Sequence, residues 1–157
     1  MKIHYICRGN VVRSLTAGAY TNSLGITGAE ASSSGTVADQ DRHEQFTIDH
    51  RARTVEMLKR HGLNKTIKTT IDQVTQPLVD THDVIVCVNQ RAYDEASKIV
   101  NLPDETIIWS VDDIGEGERR AKDDDRTESE EAIFSEVKAQ VDQLIDKLGL
   151  SSTVKSS

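Results

Sequence analysis

Five consecutive apolar residues, Val84-Ile85-Val86-Cys87-Val88, constrain the fold of this chain more than any other stretch. A strand with one wet face alternates apolar with polar side chains, whereas an unbroken apolar run belongs to a strand covered on both faces, the usual state of a parallel sheet between helices. The flanks agree. Ahead of the run, Thr70-Ile71-Asp72-Gln73 has the form of a capping box and predicts a short helix with Val74 and Leu78 inside. Behind it, Asn89 can cap a helix whose Tyr93, Ala96, Ile99 and Val100 form a buried stripe and which Pro103 ends.

The same alternation runs through the rest of the chain. Residues 2 to 6 read as a strand, and Leu15 to Leu24 as a helix that Gly25 stops. A second helix, from about His50 to His61, carries Ala52, Val55 and Leu58 on one face and stops at Gly62. Thr106 to Val111 is another apolar strand. Thr127-Glu128-Ser129-Glu130 is a second capping box and opens the longest helix, where Phe134, Val137, Val141, Leu144, Ile145 and Leu148 recur at helical spacing before Gly149. The polar stretch from Gly35 to Asp49 is long enough to be a functional loop, with Phe46 either lining a cleft or anchoring the loop. This order predicts an α/β domain of three layers, a four-stranded parallel sheet with helices on both faces and right-handed crossovers. A chain of 157 residues suits one such domain, over residues 1–149, with a frayed tail at 150–157.

Ligands of such sheets bind beyond the carboxyl ends of the strands, and the first strand ends in a stretch with chemistry of its own. Ile3-His4-Tyr5-Ile6 delivers Cys7 into Arg8-Gly9-Asn10-Val11-Val12, and Arg13-Ser14 follow where a helix begins. Wrapped around a tetrahedral oxyanion, a loop of this kind points successive backbone N–H groups inward, and the helix adds the positive end of its dipole. Arg13 then clamps two oxygens with its planar fork of donors. The same field lowers the Cys7 thiol below its reference of about 8.5, so the thiolate becomes the attacking species. Ser14 can donate its hydroxyl to that sulfur. The alternative is a Cys7 that is only a small buried hydrophobe at a strand end.

Charge and cysteine usage narrow the function. The formal charge of −7 argues against a nucleic-acid or anionic-membrane partner, and ten acidic residues fall between Asp112 and Glu131 alone. No apolar run approaches the roughly 20 residues of a membrane span, and Met1-Lys2-Ile3-His4-Tyr5 lacks the core of a signal peptide, so a cytoplasmic location is expected. Two cysteines eighty positions apart make no disulfide framework, and Cys87 reads as core. The five histidines lack zinc-like spacing, so neither a metal nor another cofactor is expected.

Cys7, Asn10, Arg13 and Ser14 match in place a loop that reads Cys-x-x-Asn-x-Cys-Arg-Ser, and on these residues the chain resembles the low-molecular-weight protein tyrosine phosphatases. Ser32-Ser33-Ser34-Gly35-Thr36 is similar to the second-strand segment of that family, which supports a strand near Glu30 to Ser34 that its polar composition alone leaves unmarked. Asp83 to Val88 resembles the third strand, and Trp109-Ser110-Val111-Asp112-Asp113 the approach to the catalytic aspartate. The resemblance covers roughly residues 2 to 148. It implies a phosphate-binding loop of Arg8, Gly9, Asn10, Val11, Val12, Arg13 and Ser14, with Asn10 as a brace. An ordinary turn asparagine would look the same.

The general acid is the open half of the site. The family uses the aspartate of an Asp-Pro pair, and no Asp-Pro occurs here. Counting from Trp109 selects Asp113, next to Asp112, and makes Gly115 to Asp124 partly an insertion; counting back from Phe134 selects Asp125. Asp113 is preferred because it leaves the fourth strand directly toward the site. The resemblance implies attack by Cys7 on phosphorus, a phosphocysteine, and its hydrolysis, acting on a phosphotyrosine protein or a small phosphomonoester, with inorganic phosphate or a similar oxyanion able to occupy the loop. Thioredoxin-coupled arsenate reductases share the scaffold, and the Trp-x-x-Asp-Asp segment looks closer to theirs. They need two further cysteines, however, and only Cys87 is present. The non-enzymatic alternative is a phosphate- or phosphotyrosine-binding module.

Overall fold

The computed structural model describes residues 1–113 and 126–150. Four strands, β1 (Lys2–Cys7), β2 (Glu30–Gly35), β3 (Val84–Cys87) and β4 (Ile107–Ile108), form one sheet in the order β2-β1-β3-β4, all parallel. The described helices are α1 (Arg13–Ser23), α2 (Ala38–Asp41), α3 (Gln45–Arg60), α4 (Gln76–Asp80), α5 (Gln90–Ser97) and α6 (Arg126–Lys147). Helix α1 lies on β1 and β2 and packs against α6, which also meets α3. Helix α5 lies on β1 and β3. Because the chain crosses the sheet one way from β1 to β2 and the other way from β3 to β4, right-handed crossovers put α1 and α5 on opposite faces. The expected three-layer parallel architecture is therefore the one found.

Strand β1 is central, and every residue after Lys2 in it is buried. One of its neighbours precedes and the other follows the long excursion through α2, α3 and α4, so β1 is the switch point and a crevice opens at its carboxyl end. The core runs from Ile3, Tyr5 and Ile6 through Val86 and Val88 to Val137 and Val141 of α6. A smaller cluster of Leu15, Ala19, Met57, Leu58, Leu63 and Phe134 seals α1, α3 and α6 together.

Several elements depart from expectation for identifiable reasons. Helix α3 begins at Gln45 rather than near His50, so most of the Gly35 to Asp49 stretch is helical. Its buried face is Thr47, His50, Thr54, Met57 and Leu58, while Ala52 is exposed and Val55 half-buried. Thr70 to Gln73 opens no helix: the Thr70 hydroxyl binds the Asp72 carboxylate, and Gln73 forms a bridge with Gly35. Helix α4 starts later, where the Thr75 hydroxyl accepts the Leu78 N–H at 3.4 Å and a proline occupies the first turn. Helix α5 ends at Ser97, which throws Ile99 off the buried stripe to 52 % exposure, while Val100 stays inside. Strand β4 is only two residues long, yet Trp109 N–H to Cys87 O and Val111 N–H to Val88 O carry its pairing on toward the crevice. Residues 114–125, which include Asp125 and the expected insertion, and the tail from 151 lie outside the described residues.

Candidate active site

The loop between β1 and α1 is held from the β2 side at very short range. Gly35 pairs with Cys7, and a Cβ on it would lie 2.4 Å from Arg8 O and 2.8 Å from Asn10 N, so only glycine fits. The N–H groups of Thr36 and Val37 donate to Cys7 O at 3.0 Å and Arg8 O at 2.9 Å, fixing the first two carbonyls of the loop against β2. Asn10 takes a left-handed φ of 60°, a conformation that asparagine tolerates better than most residues. Its backbone N–H then reaches the Cys7 sulfur at 3.1 Å.

The Asn10 side chain is fully buried and makes three bonds. Nδ2 donates to Ser14 Oγ at 2.8 Å and to Ser33 Oγ at 3.0 Å, and Oδ1 accepts the Asp72 N–H at 3.0 Å. Ser14 Oγ, with one lone pair so occupied, has its hydrogen available for the Cys7 Sγ at 2.9 Å, ahead of the more distant Ser34 carbonyl at 3.3 Å. Two donors thus face the sulfur, which is the environment a thiolate needs. Helix α1 starts at Arg13 with no side-chain cap hydrogen bond among the described residues, and a helix N-terminus at the end of such a loop favours an anion.

Cys7, Arg8, Gly9, Val11, Val12, Arg13 and Asp113 enclose a cavity of about 320 Å³ with Val37, Asp41, Phe46, Thr47 and His50 on the α2–α3 wall. Arg13 is 1 % exposed; its Nη1 donates to Val111 O at 3.1 Å and its Nη2 lies 3.6 Å from Asp113 Oδ2. Arg13 and Cys7 line the same cavity, and the guanidinium is held there by the extension of β4. Asp113, about one third exposed, lines the cavity, and Asp112 is not among the lining residues. Of the residues expected at the site, Cys7, Arg8, Gly9, Val11, Val12, Arg13 and Asp113 line the cavity, while Asn10 and Ser14 stand behind it.

Other residues enter the site from far along the chain. Glu95 of α5 accepts from Arg8 Nε at 2.8 and 3.1 Å and from Thr36 Oγ1 at 3.0 Å, so the Arg8 side chain is tied to α5. Lys68 donates to Ser33 O at 2.7 Å and to the Asp72 carboxylate at 2.9 Å, fixing the segment that meets Asn10. Burial pulls the Lys68 ammonium below its usual range, against the pull of Asp72. The sequence did carry one signal for the wall: Thr47, His50 and Thr54 are polar residues in the helical register that Met57 and Leu58 continue.

The family model described as low molecular weight phosphotyrosine protein phosphatase matches residues 2–156. No curated protein matches the chain in sequence. Among solved structures, the fold is similar to the low molecular weight protein tyrosine phosphatase SP-PTP of Streptococcus pyogenes, at a TM-score of 0.68 and 19 % identity, covering 94 % of this chain and 92 % of that one. It is also similar to Wzb of Vibrio vulnificus in complex with benzylphosphonate, at 0.65 and 17 %, covering 90 % and 97 %, and to the YwlE arginine phosphatase of Geobacillus stearothermophilus, at 0.60 and 19 %, covering 94 % and 92 %. With a family match over nearly its whole length, this chain belongs to the low molecular weight phosphotyrosine protein phosphatase family and is a cysteine-dependent phosphatase.

Proposed function

We propose that the chain hydrolyses phosphotyrosine in proteins, with Cys7 as nucleophile, Arg13 as phosphate clamp and Asp113 as general acid. The observation that carries this reading is the cavity floor, where the Cys7 sulfur faces the Asn10 N–H and Ser14 hydroxyl and shares its opening with Arg13 and Asp113. The Cys7 thiolate attacks phosphorus as the P–O bond to the tyrosyl oxygen breaks; loop N–H groups and Arg13 take up the charge on the three equatorial oxygens. An entering phosphoryl group replaces Asp113 as the partner of Arg13, and the Asp113 carboxyl protonates the departing phenolate. The ionised Asp113 then takes a proton from water, whose oxygen attacks the phosphocysteine and releases phosphate and the Cys7 thiolate.

Cys87 bears on the alternative of arsenate reduction. It is wholly buried in β3, and burial pushes its thiol up to about 12, which suits a packing role and not a resolving thiol. A free thiolate nucleophile also works best in a reducing compartment, which supports the cytoplasm as the site of action.

Phosphate release from phosphotyrosine, p-nitrophenyl phosphate and phosphoarginine tests the assignment. Cys7→Ser should abolish turnover. Asp113→Ala should cost on the order of 100-fold or more with phosphotyrosine and much less with p-nitrophenyl phosphate, whose leaving group needs little protonation. An Asp125→Ala enzyme that shows this leaving-group dependence, beside an Asp113→Ala enzyme that does not, refutes the acid assignment; faster turnover of phosphoarginine than of phosphotyrosine refutes the substrate.

A further inference from the structure

The outer wall of the cavity holds a carboxylate for which the reaction has no use. Asp41, the last residue of α2, is half-buried and lines the cavity. Among the described residues its carboxylate has no hydrogen-bond or ion-pair partner. The nearby cations are committed elsewhere: Arg42 pairs with Asp39, Arg8 with Glu95, and Arg13 lies against Asp113 and the Val111 carbonyl. Beside Asp41 on the same wall stands Phe46, 68 % exposed although it is one of the chain's two phenylalanines. The Phe46 ring tilts against His50 at 5.7 Å between centroids and is otherwise largely exposed, and a carboxylate beside such a ring attracts a lysine or arginine side chain, by charge and by the ring quadrupole together.

We infer that Asp41 and Phe46 form a subsite for a basic residue directly flanking the phosphotyrosine. This rests on the tyrosine phosphatase reading. With the phosphoryl group in the loop and the phenyl ring in the throat, the neighbouring residue of the substrate is the part that reaches the α2–α3 wall. An acidic neighbour meets the unneutralised Asp41 there and is repelled.

The test uses the full chain with Cys7→Ser, so that binding is read without turnover, and three phosphotyrosine peptides identical except for Arg, Ala or Glu on either side of the phosphotyrosine. The Arg peptide should bind about fivefold more tightly than the Ala peptide, the worth of one partly exposed ion pair, and the Glu peptide more weakly still. The spread should shrink at high salt. Asp41→Asn in the same background should bring the Arg and Ala peptides together, and Asp41→Lys should reverse their order. A spread that survives Asp41→Asn overturns the proposal and transfers the discrimination to the acidic segment at 112–131, and three equal affinities overturn it outright. The unmutated chain separates the two readings: failure to release phosphate from any peptide, with the affinity spread intact, sinks the phosphatase reading alone, while normal release with equal affinities sinks the subsite alone.

Discussion

His4 is wholly buried in the central strand, and its hydrogen bonds fix its protonation state. The chain of bonds can be directed from its far end. His82 Nδ1 lies 2.5 Å from the Leu78 carbonyl and must carry the hydrogen there, which leaves its Nε2 to accept from Ser32 Oγ at 2.7 Å. Ser32, having donated, accepts from His4 Nδ1 at 2.6 Å, so His4 Nε2 is bare and accepts from Ser34 Oγ at 2.7 Å. Neutral His4 satisfies every group, and a second proton would face an oxygen that is already donating. Burial above all, then the positive charge that a second proton on neighbouring His82 would bring and the charge of Lys68, pull the His4 imidazole from 6.5 down to about 3, against an opposing effect of Asp72. Because the folded value is depressed, the unfolded chain takes up the proton first as pH falls through 6.5; the stabilisation is whole above that pH and drains away toward about 3. Between neutrality and pH 5 the loss from this one residue comes to about 2 kcal/mol, a large share of the roughly 5–15 kcal/mol of an ordinary domain. Urea unfolding at both pH values measures it. His4→Asn should be less stable throughout but lose about 2 kcal/mol less on acidification than the unmutated chain. An identical acid sensitivity in the two proteins refutes the assignment of His4 as neutral and bonded.

Gly35→Ala places a methyl against Arg8 O and Asn10 N and should cost about 1–3 kcal/mol in urea unfolding together with most of the activity, since the strain falls on the nucleophile loop. Glu95→Ala releases Arg8 and Thr36 from α5; kcat/KM for p-nitrophenyl phosphate should drop by roughly 10- to 100-fold through misplacement of the loop, with Glu95→Gln recovering part of the loss. An unchanged kcat/KM in Glu95→Ala would remove α5 from the support of the site.

The fold was legible wherever a residue type answers a local physical demand. The run at Val84 to Val88 announced a strand covered on both sides, and the helix stops at Gly25, Gly62 and Gly149 all have the positive φ that makes glycine the usual choice there. Legibility failed where a polar residue is buried for a tertiary reason. Thr47 and His50 line the cavity, so the inner face of α3 could not be found by weighing apolar residues alone. The Thr70-x-x-Gln73 pattern failed likewise, because the Gln73 amide serves Thr36 O at 2.7 Å and Asp39 N–H at 2.9 Å and closes no capping box. Strand β2 is serine-rich because its side chains are the hydrogen-bond partners of His4 and Asn10.

Cys7 to Ser14 could be read as a site because its defining contacts are made within eight residues; Glu95, Lys68 and Asp72 could not, because Arg8, Ser33 and Asn10, which they hold, lie tens of positions away. The strand order supplies the connection between these two facts. With β1 in the middle of the sheet, its loop is flanked by β2 on one side and by the β3–α5 corner on the other, and the Lys68–Asp72 segment closes over Asn10. A loop braced from three separate parts of the chain presents its donors in place before substrate arrives, and that preorganisation is what makes such donors effective in stabilising a developing charge. Edge strands could not provide it. The same topology therefore accounts for the position of the nucleophile after the first strand and for the dispersal of its supports along the sequence.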